Sequence, residues 1–154
     1  MTENKFLWRL AEPRDVSNLL DIERGAFATP WTREEIEEEL DKPMARVWVA
    51  EHEDRLVAFG IQWFVVGESQ LANIAVHSDF RRLGLGKQMM RHLLADAQTA
   101  GMEKMTLEVR TGNTAAIELY RQLGFIETSR RPKFYEDKDE AILMEISLGK
   151  TGKE

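Results

Sequence analysis

A chain of 154 residues, 43% hydrophobic and 31% charged, is about one domain long and has enough apolar mass to bury a core. The absence of cysteine excludes disulfides, thiolate metal sites and a cysteine nucleophile, and three scattered histidines offer no metal-ligating spacing. A net charge of −6 argues against broad nucleic-acid binding; no apolar run approaches the ~20 residues of a membrane span or forms a signal-peptide core, so a cytoplasmic, metal-free protein is expected.

From the N-terminus, residues 6–10 form a strand candidate. Pro13 lies near the start of a helix whose apolar face is Val16, Leu19, Leu20 and Ile22, ending near Gly25. Residues 27–31 make a short linker containing Pro30. Thr32 then caps a second helix, and Glu35 three residues later completes a capping box. That helix carries Glu34, Glu35, Glu37, Glu38, Glu39 and Asp41, which form either a solvated face or a field that draws a cationic substrate to a site rim. Strands follow at 46–51, 56–66 and 71–76, joined by turns at Glu53-Asp54 and Gly67-Glu68 as an antiparallel meander. The third is an apolar run interrupted only by Asn73.

The chain is most informative just after that third strand. His77-Ser78-Asp79 breaks it, and residues 81–86 read R-x-x-G-x-G. From Lys87 onward Met89, Met90, Leu93, Leu94 and Ala97 recur at helical spacing. A glycine-bearing loop that opens a helix aims several backbone N–H groups at one point, where the helix dipole adds positive potential, so a phosphate or pyrophosphate suits it. A Walker A loop is excluded, because one residue separates Gly84 from Gly86 and Gln88 follows Lys87. Met89 stands where a dinucleotide fingerprint needs its third glycine. A plain glycine turn beside surface arginines is the competing reading at this point.

This helix stops at Gly101, and residues 105–109 follow as a strand with Met105, Leu107 and Val109 on one face. A right-handed crossover makes it parallel to 71–76. Residues 113–123 form another helix, with Asn113 as N-cap, Gly124 as the stop, and Ala116, Leu119, Tyr120 and Leu123 on one face. Strands at 125–128 and 141–146 flank a loop at 129–140. A single domain at 1–148 with a polar tail at 149–154 is expected.

The resulting order, β-α-α-β-β-β-α-β-α-β-β with R-x-x-G-x-G after the fourth strand, resembles the GNAT family of N-acetyltransferases, which have a mixed α/β sheet. A second signature, N-x-x-A-x-x-x-Y-x-x-x-G-F, runs from Asn113 to Phe125 and is far more specific than the glycine loop. Within the family the chain is most similar to bacterial enzymes that acetylate the N-terminal alanine of a small-subunit ribosomal protein. That likeness rests on Pro30-Trp31, residues 73–76, 107–110, 113–125 and 139–144. The tyrosine pair usual in the penultimate loop reads Phe134-Tyr135 here.

The resemblance implies acetyl-CoA as donor and a peptide with a free N-terminus, such as that of a ribosomal protein, as acceptor. By family position, backbone groups of Ile74, Ala75 and Val76 pair with the pantetheine arm, beside a splay in the sheet. Arg82, Leu83, Gly84, Leu85, Gly86 and Lys87 wrap the pyrophosphate, and Asn113 bonds the cofactor arm. Tyr120 becomes the acid for the departing thiolate, although its spacing equally fits a core aromatic. Glu108 becomes the general base through a water, although it also fits an exposed strand position. Phe27, Trp31 and Tyr135 line the peptide slot. An α-amine titrates near 7.7–8.0 and a lysine near 10.4, so one carboxylate acting through water suits an N-terminus better than a lysine. Lysine or small-amine acetylation, and acyl-CoA sensing without turnover, are the other readings.

Overall fold

The computed structural model describes residues 5–132 and 140–149. Its elements follow in the order β1 (Leu7–Leu10), α1 (Val16–Ala26), α2 (Arg33–Asp41), β2 (Ala45–His52), β3 (Arg55–Val65), β4 (Glu68–Val76), α3 (Leu85–Thr99), β5 (Lys104–Arg110), α4 (Thr114–Leu123), β6 (Ile126–Arg131) and β7 (Ala141–Ser147), with single 3₁₀ turns at Pro13–Asp15 and Ser78–Phe80. Among the described residues no helix is long and apolar enough to cross a membrane. The chain groups into two compact units: residues up to Trp63 together with Ala72–Leu93, and Phe64–Leu71 together with residues from Leu94 onward.

In the first unit β1, β2, β3 and the end of β4 are neighbours in that order, with β1 and β3 each antiparallel to β2. The turn at Glu53-Asp54 carries positive φ at both residues (51° and 67°), the conformation of a type I′ hairpin. The core gathers Leu19, Leu20 and Ile22 of α1, Ile36 of α2, and Val47, Val49, Phe59 and Ile61 of the sheet, all nearly inaccessible. Periodicity explains why α1 packs there, since positions 16, 19, 20 and 23 share one face. Glu23 occupies the last of them and is 1% exposed. The predicted capping box holds: Thr32 Oγ1 accepts from the Glu35 N–H at 3.1 Å, and Glu35 Oε1 from the Thr32 N–H at 2.8 Å. Glu39 departs from its acidic neighbours on α2. It is 4% exposed and accepts from Trp63 Nε1 at 2.6 Å, so it belongs to the packing and not to a solvated or substrate-steering face. The start of α3 lies close on β3 at Gly60, where a Cβ would meet Met89 and Leu93 side-chain atoms at 2.9 Å.

In the second unit the strand order is β4, β5, β7, β6. β5 is antiparallel to β7 over seven residue pairs. Its parallel ladder with β4 has three, Glu68–Gln70 against Lys104–Thr106. Met105, Leu107 and Val109 are buried and Glu108 is exposed, as alternation along a half-buried strand requires. The β3–β4 turn falls one residue earlier than predicted. Val66 (φ 49°) and Gly67 (φ 78°) form it, and β4 begins at Glu68. A second positive-φ site beside Gly67 makes the two-residue turn close sooner. The N-cap of α4 is Asn113, whose Oδ1 accepts from the Ala116 N–H at 3.2 Å. Gly124 ends the helix with φ 109°.

Candidate active site

The first unit holds the glycine loop. Beyond β4 the 3₁₀ turn leads into residues 81–84, all exposed, and α3 opens at Leu85, whose side chain is 1% exposed and anchors the loop. Arg82 and Gly84 have φ of 68° and 77°, so the backbone winds through two left-handed residues just before a helix N-terminus. A Cβ on Gly84 would meet nothing within 4 Å. A left-handed turn just ahead of a helix N-terminus, where the helix dipole is positive, is the kind of backbone that suits a phosphate. Ile74, Ala75 and Val76 lie on β4 past the last rung of its ladder with β5. The Ile74 N–H is engaged by Asn73 Oδ1 at 2.9 Å.

Phe27 is 39% exposed, while Trp31 is half-buried against the first unit's core. The Trp31 backbone N–H donates to Glu23 Oε2 at 2.8 Å, and Asn73 Nδ2 donates to Glu23 Oε1 at 2.8 Å. Arg81 donates from Nε to the Val76 carbonyl and from Nη2 to the Gly25 carbonyl, each at 3.3 Å. Two groups that sequence reasoning assigned separately, the 27–31 linker and the end of β4, are therefore joined by side chains it had not used.

The second unit holds Glu108, Asn113 and Tyr120. Glu108 on β5 pairs through Oε2 with Arg131 Nη1 of β6 at 3.1 Å. Tyr120 sits on α4 about two turns beyond Asn113, is 6% exposed and lies 5.7 Å from the Phe125 ring. Burial pushes its hydroxyl up to about 12, so it stays protonated through the physiological range. The ring is a core aromatic, and its neutral hydroxyl is the form an acid role would need. Tyr135 lies outside the described residues. Among those described, no group of three or more His, Asp or Glu is arranged to hold a metal ion.

Glu23, Asn73 and Arg131 were missed as partners. The signal for the first two was present: each is the lone polar residue in an apolar pattern, and they bond to each other across 50 positions.

Comparison with known proteins decides the family. The model of the acetyltransferase (GNAT) family matches residues 16–125. The chain belongs to the GNAT family. It is 35% identical over 137 residues to a [ribosomal protein bS18]-alanine N-acetyltransferase of Salmonella typhimurium, covering 87% of this chain and 92% of that one. It is 30% identical over 153 residues to an N-alpha-acetyltransferase of Sulfurisphaera tokodaii, covering 91% and 92%. The crystal structure of the ribosomal-protein-S18-alanine N-acetyltransferase from Escherichia coli superposes with a TM-score of 0.90 at 31% identity, covering 97% of each chain. The glycine loop lies between β4 and α3, and the Asn113–Phe125 signature runs from the N-cap of α4 to just past its C-terminal Gly124.

Proposed function

We propose that this GNAT enzyme transfers the acetyl group of acetyl-CoA to the free α-amine of a protein N-terminus, with a ribosomal protein as the natural acceptor and the cytoplasm as the setting. The observation that carries this reading is the likeness, over nearly the full length of both chains, to enzymes named for acetylating the N-terminal alanine of bS18. The backbone of the 82–87 loop holds the pyrophosphate. The open space around Gly84 supports this, because the protein itself places nothing there. The short β4–β5 ladder supports pairing of the pantetheine arm with 74–76, and the prior engagement of the Ile74 N–H by Asn73 puts most of that pairing on Ala75 and Val76. Asn113 serves as helix cap and as contact for the cofactor arm.

The amine nitrogen attacks the thioester carbonyl, a C–N bond forms and the C–S bond breaks. Glu108, through a water, takes the proton the nitrogen loses. Arg131 beside it keeps the carboxylate oriented. Tyr120 hydrogen-bonds the sulfur as negative charge develops on it, and the sulfur leaves as the thiolate. With its hydroxyl near 12 and an ordinary thiol near 8.5, complete transfer to a free thiolate is uphill by about 5 kcal/mol. Tyr120 therefore acts by hydrogen bonding to sulfur as the C–S bond breaks, not by protonating it beforehand. Phe27 and Trp31 line the peptide slot. Incubation with acetyl-CoA and peptides bearing free N-termini tests the assignment: acetylation at the first residue supports it, and exclusive lysine or small-amine acetylation overturns it.

A further inference from the structure

Glu23 is an anomaly in the first unit. A carboxylate 1% exposed on the apolar face of α1 is bonded to two neutral donors, the Trp31 backbone N–H and the Asn73 side-chain amide, both at 2.8 Å. Among the described residues no cation forms an ion pair with it. Burying a carboxyl without a cation is unfavourable, and an apolar residue at that helical position would continue the stripe. What the carboxylate provides instead is a junction. Its Oε2 fixes the end of the 27–31 linker at Trp31; its Oε1 fixes Asn73, whose own oxygen holds the Ile74 N–H. At the linker's other end, Arg81 bridges the carbonyls of Gly25 and Val76. The linker that carries Phe27 and Trp31 is thus tied to β4 at both of its ends.

We propose that Glu23 is a positioning residue for the acceptor: through Trp31 and Asn73 it holds the linker at a fixed place along β4 and so sets the affinity for the incoming peptide. This rests on the reading of Phe27 and Trp31 as the peptide slot. Glu23 touches neither substrate; it acts through the residues it bonds.

The test uses the full chain and Glu23→Gln, which keeps the size of the side chain but leaves one acceptor for two donors. Losing one hydrogen bond to a charged group corresponds to roughly a tenfold change, so KM for the peptide should rise about tenfold while KM for acetyl-CoA and kcat move by no more than about threefold. By hydrogen exchange, at least one of the Trp31 and Ile74 amides should exchange about tenfold faster than in wild type. Asn73→Ala, which leaves Glu23 and Trp31 joined, provides the second variant and should speed exchange at Ile74. Unchanged exchange at both amides, or a loss confined to kcat that follows a lower melting temperature, would overturn the proposal. Wild-type protein that acetylates no peptide N-terminus overturns the functional reading instead; the exchange experiment needs no substrate and decides the junction either way.

Discussion

Tyr120→Phe separates the two roles that coincide at one buried ring. The substitution keeps the six-membered ring, its 5.7 Å approach to Phe125 and its place beside Ile117 on the buried face of α4, and it removes only the hydroxyl. Packing is retained, so the melting temperature should move by no more than a few degrees, corresponding to about 1 kcal/mol or less. Chemistry is not retained. Loss of a positioned acid costs about 10²–10⁴ in kcat, or roughly 3–5 kcal/mol of transition-state stabilisation. Because burial holds the hydroxyl near 12, it does not ionise below pH 10, and the variant's deficit should be constant from pH 6 to pH 10. An acetyl thioester whose thiol has a lower pKa needs less help at sulfur, so it should recover most of the loss in the variant and little in the wild type. Initial rates with both donors, beside thermal melts, measure all of this. A variant with wild-type kcat and a lowered melting temperature would refute the acid role and leave Tyr120 as packing alone.

Three further outcomes follow from named contacts. Gly84→Val should raise KM for acetyl-CoA strongly; the protein leaves that space open, so the obstruction falls on the ligand, while φ of 77° adds about 1–2 kcal/mol of backbone strain visible as a modest fall in melting temperature. Glu108→Gln should lower kcat/KM most below about pH 8, where the α-amine is protonated, and the deficit should shrink at higher pH; a pH-independent defect would make Glu108 a residue that orients the water or substrate. Asp15 accepts two bonds from the Arg9 guanidinium at 2.8 and 3.0 Å, which together with its backbone bond holds its carboxyl below the ordinary range against the opposing effect of burial. A depressed folded pKa contributes stability above the unfolded value and loses it as pH falls through the folded one, so chemical denaturation should show stability dropping below about pH 4, with a shallower drop in Arg9→Met.

Local physics was legible in the sequence. The Thr32–Glu35 capping box, the Asn113 cap, the Gly101 and Gly124 stops and the alternation of Met105, Leu107 and Val109 are each set by a few neighbouring residues, and each appears where predicted. The family signature at 113–125 carried the fold class further than periodicity alone. Long-range pairing was not legible. Glu23 and Asn73 each stand out as a polar exception in an apolar pattern, but that does not say that the two meet each other, and Arg131 reaches Glu108 only because β6 and β5 flank β7. Glu39 looked like five other acids on α2 until Trp63, 24 positions away, supplied its donor. Tertiary contacts between polar exceptions are where a local reading ends, and in the first unit those of Glu23 hold the linker proposed to bind the acceptor.

Mass spectrometry of peptides with free N-termini, some also carrying lysine, after incubation with acetyl-CoA and the protein tests the central claim most directly. The account predicts one acetyl group per peptide, placed by fragmentation on the first residue, with internal lysines untouched and acetylation abolished when the N-terminus is blocked. Acetyl groups on lysine side chains, or unmodified peptides in the presence of rapid acetylation of a small amine, would contradict it.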